Sequence, residues 1–159
     1  MGSAIDAARY REVLGHFATG LAVVTGLSER SPVGFTCQSF CALSLEPPLV
    51  LIAPSKQSTT WPRLVAAGVF TVNILSAEQE AIARAFSVSG ADKFAGVGWR
   101  PAVTGAPILA DALAHVDCTI SSVTEAGDHY VVVGAVEELE SSTGSPLLYY
   151  RGGFGQFQI

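Results

Sequence analysis

The chain has 159 residues, of which 49% are hydrophobic and 14% are charged. This length suits one domain, and this composition excludes a disordered chain, which needs few apolar residues and many charges. Fourteen acidic and nine basic side chains give a net charge of −5, so the positive surface that neutralises nucleic-acid phosphates is missing. We expect one domain over residues 1–159 and no nucleic-acid partner.

No segment has the roughly 18–20 continuous apolar residues that a bilayer-spanning helix needs. The amino terminus lacks a signal-peptide pattern, so we expect a cytoplasmic protein with no membrane contact, and the first three residues resemble a cloning remnant. Cys37, Cys41 and Cys118 form no CxxC pair, which predicts free buried thiols rather than disulfides or a zinc site. The surplus of apolar residues predicts an interface or a ligand cleft, and we expect a homo-oligomer.

The first predicted element is an amphipathic helix, because apolar residues recur at i, i+4 spacing from Ile5 to Phe17 before Gly20 ends it. Short runs rich in Val, Ile, Phe and Thr, bounded by Gly, Pro or Ser, then predict four strands. These strands cover residues 21–25, 34–42, 49–53 and 69–75. Their spacing predicts a barrel or a sandwich.

Two further helices are predicted from their ends. Pro62 in a first turn and Gly68 as a terminator predict a short helix between them. Ser76 and Gln79 form a capping box, which predicts a helix over residues 77–86.

The remaining residues predict a long loop followed by strands. Residues 88–107 contain Gly, Pro and few periodic apolar positions, so we expect a loop there. Residues 114–123 alternate, which predicts a strand with one buried and one solvated face. Its predicted buried positions are Val116, Cys118 and Ile120, and its predicted solvated positions are His115, Asp117, Thr119 and Ser121. A turn at 125–128 leads to a strand at 130–136 covered on both faces, and 147–151 forms a terminal strand ending in the glycine-rich 152–155.

The sequence lacks the motifs of several large enzyme classes. It contains no GxGxxG, P-loop, HExxH or GxSxG pattern, which argues against Rossmann, P-loop, zincin and hydrolase functions. His16, His115 and His129 lie far apart in sequence, and none has a His or Cys neighbour at metal-ligand spacing. We therefore expect no catalytic metal.

Hydroxyl and amide side chains concentrate on the early strands and in residues 55–60, just past a strand. Backbone amides, hydroxyls and Lys56 at a strand-to-helix junction predict a phosphate cradle. The alternative is an ordinary capped loop, because Ser and Thr are also the usual helix caps.

Seven segments, in this order and with compatible spacing, resemble the short-chain flavin reductases of two-component monooxygenases. They are residues 17–25 (FATGLAVVT), 34–40 (GFTCQSF), 43–50 (LSLEPPLV), 70–75 (FTVNIL), 92–94 (DKF), 127–129 (GDH) and 146–151 (PLLYYR). The resemblance implies a mainly β protein with flanking helices, built on a six-stranded split β-barrel of Greek-key, FMN-binding type and assembled as a homodimer. It also implies hydride transfer from NADH, or NADPH, to FMN or FAD for a separate oxygenase.

The resemblance also assigns residues to the flavin. Those predicted to lie along the isoalloxazine ring are Thr36, Cys37, Gln38, Ser39 and Phe40. Those predicted to hold the ribityl chain and phosphate are Ala53, Ser55, Lys56, Ser58 and Thr59, with Phe86 and Ser87 closing the pocket. Three cofactor positions, Cys37, Gln38 and Lys93, depart from the commoner residues of the family, which implies an altered flavin preference or affinity.

The nicotinamide side of the site is also implied by the resemblance. His129 is predicted to contact the nicotinamide or to supply a proton, with Asp128 as its orienting partner; the alternative is a solvated hairpin-end histidine. Tyr149, Tyr150 and Arg151 are predicted to flank the dinucleotide, or else to serve packing. Two other functions stay open: a flavoprotein that keeps its flavin and acts on an organic substrate, and a non-catalytic flavin- or haem-binding module.

Overall fold

A computed structural model describes residues 4–90 and 92–158, so the predicted cloning remnant lies outside the described residues. The described helices are α1 (Ala7–Leu14), α2 (Trp61–Ala67) and α3 (Glu80–Phe86). The described strands are β1 (Thr19–Gly20), β2 (Ala22–Ser28), β3 (Ser31–Cys37), β4 (Cys41–Ser44), β5 (Leu49–Ile52), β6 (Val69–Ile74), β7 (Trp99–Pro101), β8 (Pro107–Leu109), β9 (Ala114–Ala126), β10 (His129–Ser141), β11 (Leu147–Tyr150) and β12 (Gly153–Gln156).

Seven strands form one antiparallel sheet in the order β3-β2-β6-β9-β10-β5-β4. Its edges are β3 and β4, and no strand pairing joins them within residues 4–90 and 92–158. A second sheet has the order β1-β11-β12, and β7 pairs with β8 alone. The protein is therefore mainly β, with three described helices and one large antiparallel sheet.

The main core packs α2 against the large sheet. Ile52, Leu64, Phe70 and Val132 have no exposed surface. Gly134 on β10 makes room for this packing, because a Cβ there would lie 2.7 Å from the Phe70 Cζ atom. A second cluster packs the buried side of α3 against Leu21, Val23, Leu75, Leu109 and Leu147.

Four fully buried polar side chains, Thr25, Thr71, Asn73 and Asp117, form what we name the buried polar cluster. Asn73 Nδ2 donates to the Val23 carbonyl at 3.0 Å, and Asn73 Oδ1 accepts from Leu109 N at 2.8 Å. Thr71 Oγ1 donates to Asp117 Oδ1 at 2.9 Å, and Thr104 N donates to the other carboxylate oxygen at 2.9 Å. The cluster therefore fastens residues 104–109 to the sheet.

The prediction of a solvated face on β9 is wrong for two residues. Asp117 is fully buried because Thr104, between β7 and β8, covers it and bonds to its carboxylate. His115 is 5% exposed, and its Nε2 lies 3.3 Å from Glu138 Oε1. Val116 and Cys118 are buried as predicted, Ile120 is half-buried, and Thr119 and Ser121 are exposed as predicted. The segment around Thr104 contains two strands, so the prediction of an irregular loop over 88–107 is also wrong.

Several predicted boundaries differ from the observed ones. The strand predicted over 34–42 is interrupted after Cys37, and Cys41 is exposed rather than buried. α2 ends as predicted at Gly68, whose φ of 75° places it in the left-handed region that glycine favours. α3 begins at Glu80, three residues later than predicted, although Gln79 Oε1 does accept from Ser76 N at 3.0 Å.

The two ends of the chain also differ from the sequence-based prediction. α1 ends at Leu14 rather than near Gly20, and it has no buried residue. The apolar face that we name the α1 face comprises Ile5, Tyr10, Val13, Leu14 and Phe17, all of which are exposed. Residues predicted as a glycine-rich end form β12, which pairs with β11. None of the described helices is long and apolar enough to cross a membrane.

Candidate functional site

The segment between β3 and β4 links the two edges of the large sheet. We name residues 37–40, from the last residue of β3 to the residue before β4, the crossover segment. Ser39 fixes it to the end of β5, because Ala53 N donates to Ser39 Oγ at 2.9 Å. The Ser39 hydroxyl oxygen also lies 3.1 Å from Cys37 Sγ. The crossover segment is therefore held against the end of β5, the neighbour of the edge strand β4.

A cavity of about 560 Å³, named here the ring cavity, opens on the crossover segment. It is lined by all four predicted residues of that segment, Cys37, Gln38, Ser39 and Phe40. Its other lining residues are Phe17, Ala18, Thr19, Gly20, Leu21, Ala22, Cys41 and Ile74. Mostly apolar walls with a few hydroxyl and amide groups are what a flat aromatic ligand with polar edges requires.

Thr36, the fifth predicted ring contact, is directed elsewhere. Its Oγ1 donates to the Ala83 carbonyl on α3 at 2.7 Å, and Ser87 Oγ donates to the same carbonyl at 2.7 Å. The structure therefore joins Thr36, which was predicted to lie along the isoalloxazine ring, to Ser87, which was predicted to close the same pocket.

A second cavity, of about 750 Å³, adjoins the ring cavity and shares Phe17, Thr19 and Gln38 with it. It is also lined by Tyr149 and Arg151, two of the three residues predicted to flank the dinucleotide. Tyr149 packs edge-on against Phe154 at 5.3 Å between ring centroids, and Tyr150 packs edge-on against His16 at 6.4 Å. Tyr149 therefore packs against a neighbouring ring and also lines a cavity where it could contact a ligand.

On the other side of Ser39, hydrogen bonds join the loop after β5 to the hairpin between β9 and β10. Tyr130 N donates to the Pro54 carbonyl at 2.9 Å, and Lys56 N donates to the Asp128 carbonyl at 2.9 Å. These bonds align a row of predicted site residues that we name the Ser39–His129 strip. It comprises Ser39, Ala53, Ser55, Lys56, Asp128 and His129.

His129 and Asp128 form the predicted pair at the end of this strip. His129 Nδ1 lies 2.7 Å from Asp128 Oδ1, and the side chain of His129 is about half exposed. The hydrogen bond from His129, followed by the charge of that imidazole, lowers the pKa of Asp128 below its ordinary value. Because Nδ1 is engaged by the carboxylate, Nε2 is the nitrogen left for a ligand.

The predicted phosphate cradle is partly occupied by the protein itself. Ser55 Oγ accepts from Gln57 N at 3.1 Å, and Ser58 Oγ accepts from Trp61 N at 3.1 Å at the start of α2. Lys56 Nζ lies 3.2 Å from the carboxylate of Glu125. For Ser55 and Ser58 these contacts favour the alternative of a capped loop.

The remaining predicted residues lie around α3 and the start of β3. Phe86 is buried and packs edge-on against Phe94 at 5.0 Å between ring centroids, so its side chain belongs to the core. Lys93 Nζ donates to the Gly34 carbonyl at 3.0 Å and to the Phe86 carbonyl at 3.3 Å. Lys93 and Thr59 both line a third cavity of about 390 Å³, named here the cationic cavity.

Among the lining residues that sequence reasoning missed are Phe17, Thr19, Cys41 and Arg63. Phe17 and Thr19 lie in the first of the seven resembling segments, so a signal for them existed. Cys41 was predicted to be a buried thiol, and Arg63 was read only as part of a short helix.

The comparisons with known proteins agree over almost the whole chain. Residues 14–158 match the family described as flavin reductase like domain. The reductase subunit HsaB of a flavin-dependent monooxygenase from Mycobacterium tuberculosis is 48% identical over 157 residues, which are 97% of this chain and 84% of that protein.

Two solved structures are similar in fold and sequence. Nitrilotriacetate monooxygenase component B from Mycobacterium thermoresistibile superposes with a TM-score of 0.94 at 46% identity, covering 99% of this chain and 89% of that one. The Streptomyces globisporus C-1027 NADH:FAD oxidoreductase SgcE6, in complex with NAD and FAD fragments, gives a TM-score of 0.91 at 36% identity, covering 99% and 98%. With the family match, these similarities show that the chain belongs to the flavin reductase like domain family.

Proposed function

We propose that this protein is an NAD(P)H-dependent flavin reductase that supplies reduced FMN or FAD to a separate oxygenase. The observation that carries the proposal is the position of Ser39. This residue lines the ring cavity and is also the first residue of the Ser39–His129 strip. One hydrogen-bonded strip therefore connects an apolar cavity that suits a flat ring to the exposed His129. Relatives named as monooxygenase reductase subunits support the same function.

The residues present fit a flavin by their chemistry. The ring cavity offers apolar walls from Phe17, Leu21 and Ile74, together with the amide of Gln38. The cationic cavity offers the ammonium of Lys93, which suits a phosphate. The bound flavin would supply the chemistry, because its ring accepts a hydride from reduced nicotinamide.

The protein's own residues would bind and orient the ligands and would hold a proton. The crossover segment would hold one flat ring against the cavity wall, which converts a bimolecular encounter into an oriented one. Asp128 would keep the His129 imidazole in one orientation with the proton on Nδ1. Nε2 is then free to contact the nicotinamide or to hold a proton. No side-chain nucleophile is required.

We also propose the finer architecture that the family resemblance implies. The crossover segment spans the gap between the two sheet edges, which supports a split barrel. The α1 face borders the ring cavity through Phe17, which supports a homodimer in which a second copy covers this face. We propose that residues 1–159 act as one such domain.

The experiment that tests the function is the initial rate of NADH absorbance loss with purified protein, with and without added FMN or FAD. A rate that rises and saturates with added flavin is expected, because flavin is then a substrate. Retained yellow colour without turnover of added flavin would instead indicate a flavoprotein that acts on an organic substrate. Flavin binding with no NADH oxidation would indicate a non-catalytic binding module.

A further inference from the structure

The cationic cavity receives two basic side chains from different elements. Lys93 reaches it from the segment after α3, and Arg63 reaches it from α2. Asp92 is the acidic side chain of its lining, and Thr59 and Thr60 add hydroxyl groups. The two cations differ in depth, because Lys93 is partly buried and Arg63 is exposed.

The inner cation has an unused donor. An ammonium group carries three protons, and two of those on Lys93 are directed at the Gly34 and Phe86 carbonyls. Among the described residues, no carboxylate lies within ion-pair distance of Lys93 Nζ, and burial lowers the pKa of this group. An anion in the cavity would accept a hydrogen bond from the third N–H and stabilise the positive charge.

The outer cation is also available. Arg63 Nε donates to Ser28 Oγ at 3.3 Å, which positions the guanidinium and leaves its terminal nitrogens unused. Within the described part of the chain, no carboxylate forms an ion pair with Arg63. A guanidinium without an ion-pair partner suits a second phosphate group, next to the phosphate that Lys93 would bind.

FMN and FAD share the phosphate on the ribityl chain, and FAD alone carries a second phosphate, which joins it to adenosine. Resting on the proposed function, with Lys93 at the shared phosphate, we propose that Arg63 binds the second phosphate of FAD and makes FAD the preferred flavin. Lys93 alone would favour FMN, because a terminal phosphate carries up to two negative charges and an internal one carries a single charge. Arg63 therefore decides the preference.

The test measures binding in the absence of NADH, by quenching of flavin fluorescence with FAD, FMN and riboflavin. Arg63→Ala is expected to raise the Kd for FAD about ten-fold, to change the Kd for FMN less than about two-fold, and to leave riboflavin unaffected. Lys93→Ala is expected to weaken FAD and FMN together. Arg100→Ala is the matched control, because Arg100 is an exposed arginine that lines a different cavity.

Three results would overturn the inference. Equal weakening of FAD and FMN by Arg63→Ala would place Arg63 at the shared phosphate. A higher KM for NADH with an unchanged Kd for FAD would assign Arg63 to the nicotinamide dinucleotide. An unchanged Kd for FAD, in a variant whose circular dichroism and Tm match the wild type, would remove Arg63 from the site. Failure of the wild-type protein to bind any flavin is a separate outcome, because it overturns the proposed function as well.

Discussion

The buried polar cluster and the Ser39–His129 strip are both hydrogen-bonded networks, but they leave different groups free. In the cluster, each polar side-chain atom that is buried has a partner within the described residues. In the strip, His129 is about half exposed, and only its Nδ1 is engaged by a protein group. Because a buried polar group without a hydrogen bond is costly, polar atoms inside a protein are bonded to other protein groups. Polar atoms left free at the surface are the ones available to a ligand.

The largest expected effect is the loss of folding stability when a side chain of the buried polar cluster is removed. Asn73→Ala removes the side-chain hydrogen bonds to Leu109 N and to the Val23 carbonyl. Both backbone groups then stay buried without that hydrogen bond. We expect the free energy of unfolding to fall by about 3 kcal/mol, measured by urea denaturation. Gln57→Ala, at an exposed position in the loop after β5, is the control and should change it by less than about 0.5 kcal/mol. A loss below about 1 kcal/mol for Asn73→Ala would contradict the structural role assigned to the cluster.

The α1 face extends the comparison to an apolar surface that the single chain leaves uncovered. Val13 is 48% exposed on this face and lines neither the ring cavity nor the cavity beside it. Val13→Asp is expected to weaken the proposed homodimer by about 2 kcal/mol, because a charge would be buried against apolar groups. Light scattering after size exclusion should show a shift toward monomer, whereas Arg9→Ala, at an exposed ion pair of α1, should not. A Val13→Asp dimer that stays intact at low concentration would rule this face out.

The strip should show the opposite behaviour to the cluster. His129→Ala removes an exposed side chain, so the free energy of unfolding should change by less than about 0.5 kcal/mol. The rate of hydride transfer in a single turnover should nevertheless fall about ten-fold, the loss expected from one transition-state contact of about 1.4 kcal/mol. Flavin Kd should change much less. His16→Ala, at the other exposed histidine, is the control. An equal loss of flavin affinity and rate would refute the assigned role.

The same contrast explains how far the sequence could predict this molecule. Local signals such as Gly68 at the end of α2 were sufficient, because a left-handed φ at a helix end is dictated by the residue itself. The alternation in β9 predicted Val116 and Cys118 correctly but not Asp117. Burial of Asp117 depends on Thr104, which comes from a segment without periodicity and is placed only by the tertiary fold.

The candidate site was predictable to the extent that its residues lie in contiguous segments. Residues 37–40 and the Asp128–His129 pair lie in resembling segments, and the structure joins them through Ser39, Ala53 and the loop after β5. The sequence of α2 indicates only that Arg63 is an exposed charged residue. Its place in the same cavity as Lys93 follows from the packing of α2 against β2, where Arg63 Nε donates to Ser28 Oγ, and no local pattern encodes this packing.

The smallest effect concerns the Asp128 carboxyl. The His129 hydrogen bond is the main cause of its lowered pKa, and the imidazole charge is the next. His129→Ala removes both, so the pKa of Asp128 should rise toward its ordinary value of 3.8, measured by carboxyl NMR as a function of pH. His16→Ala should leave it unchanged. The Asp128 side chain is 92% exposed, so water screens this interaction and the shift should not register in the unfolding free energy. The titration therefore reports whether the pair forms, separately from whether the protein folds, and an unshifted Asp128 pKa in the wild type would show that His129 is not oriented by this carboxylate.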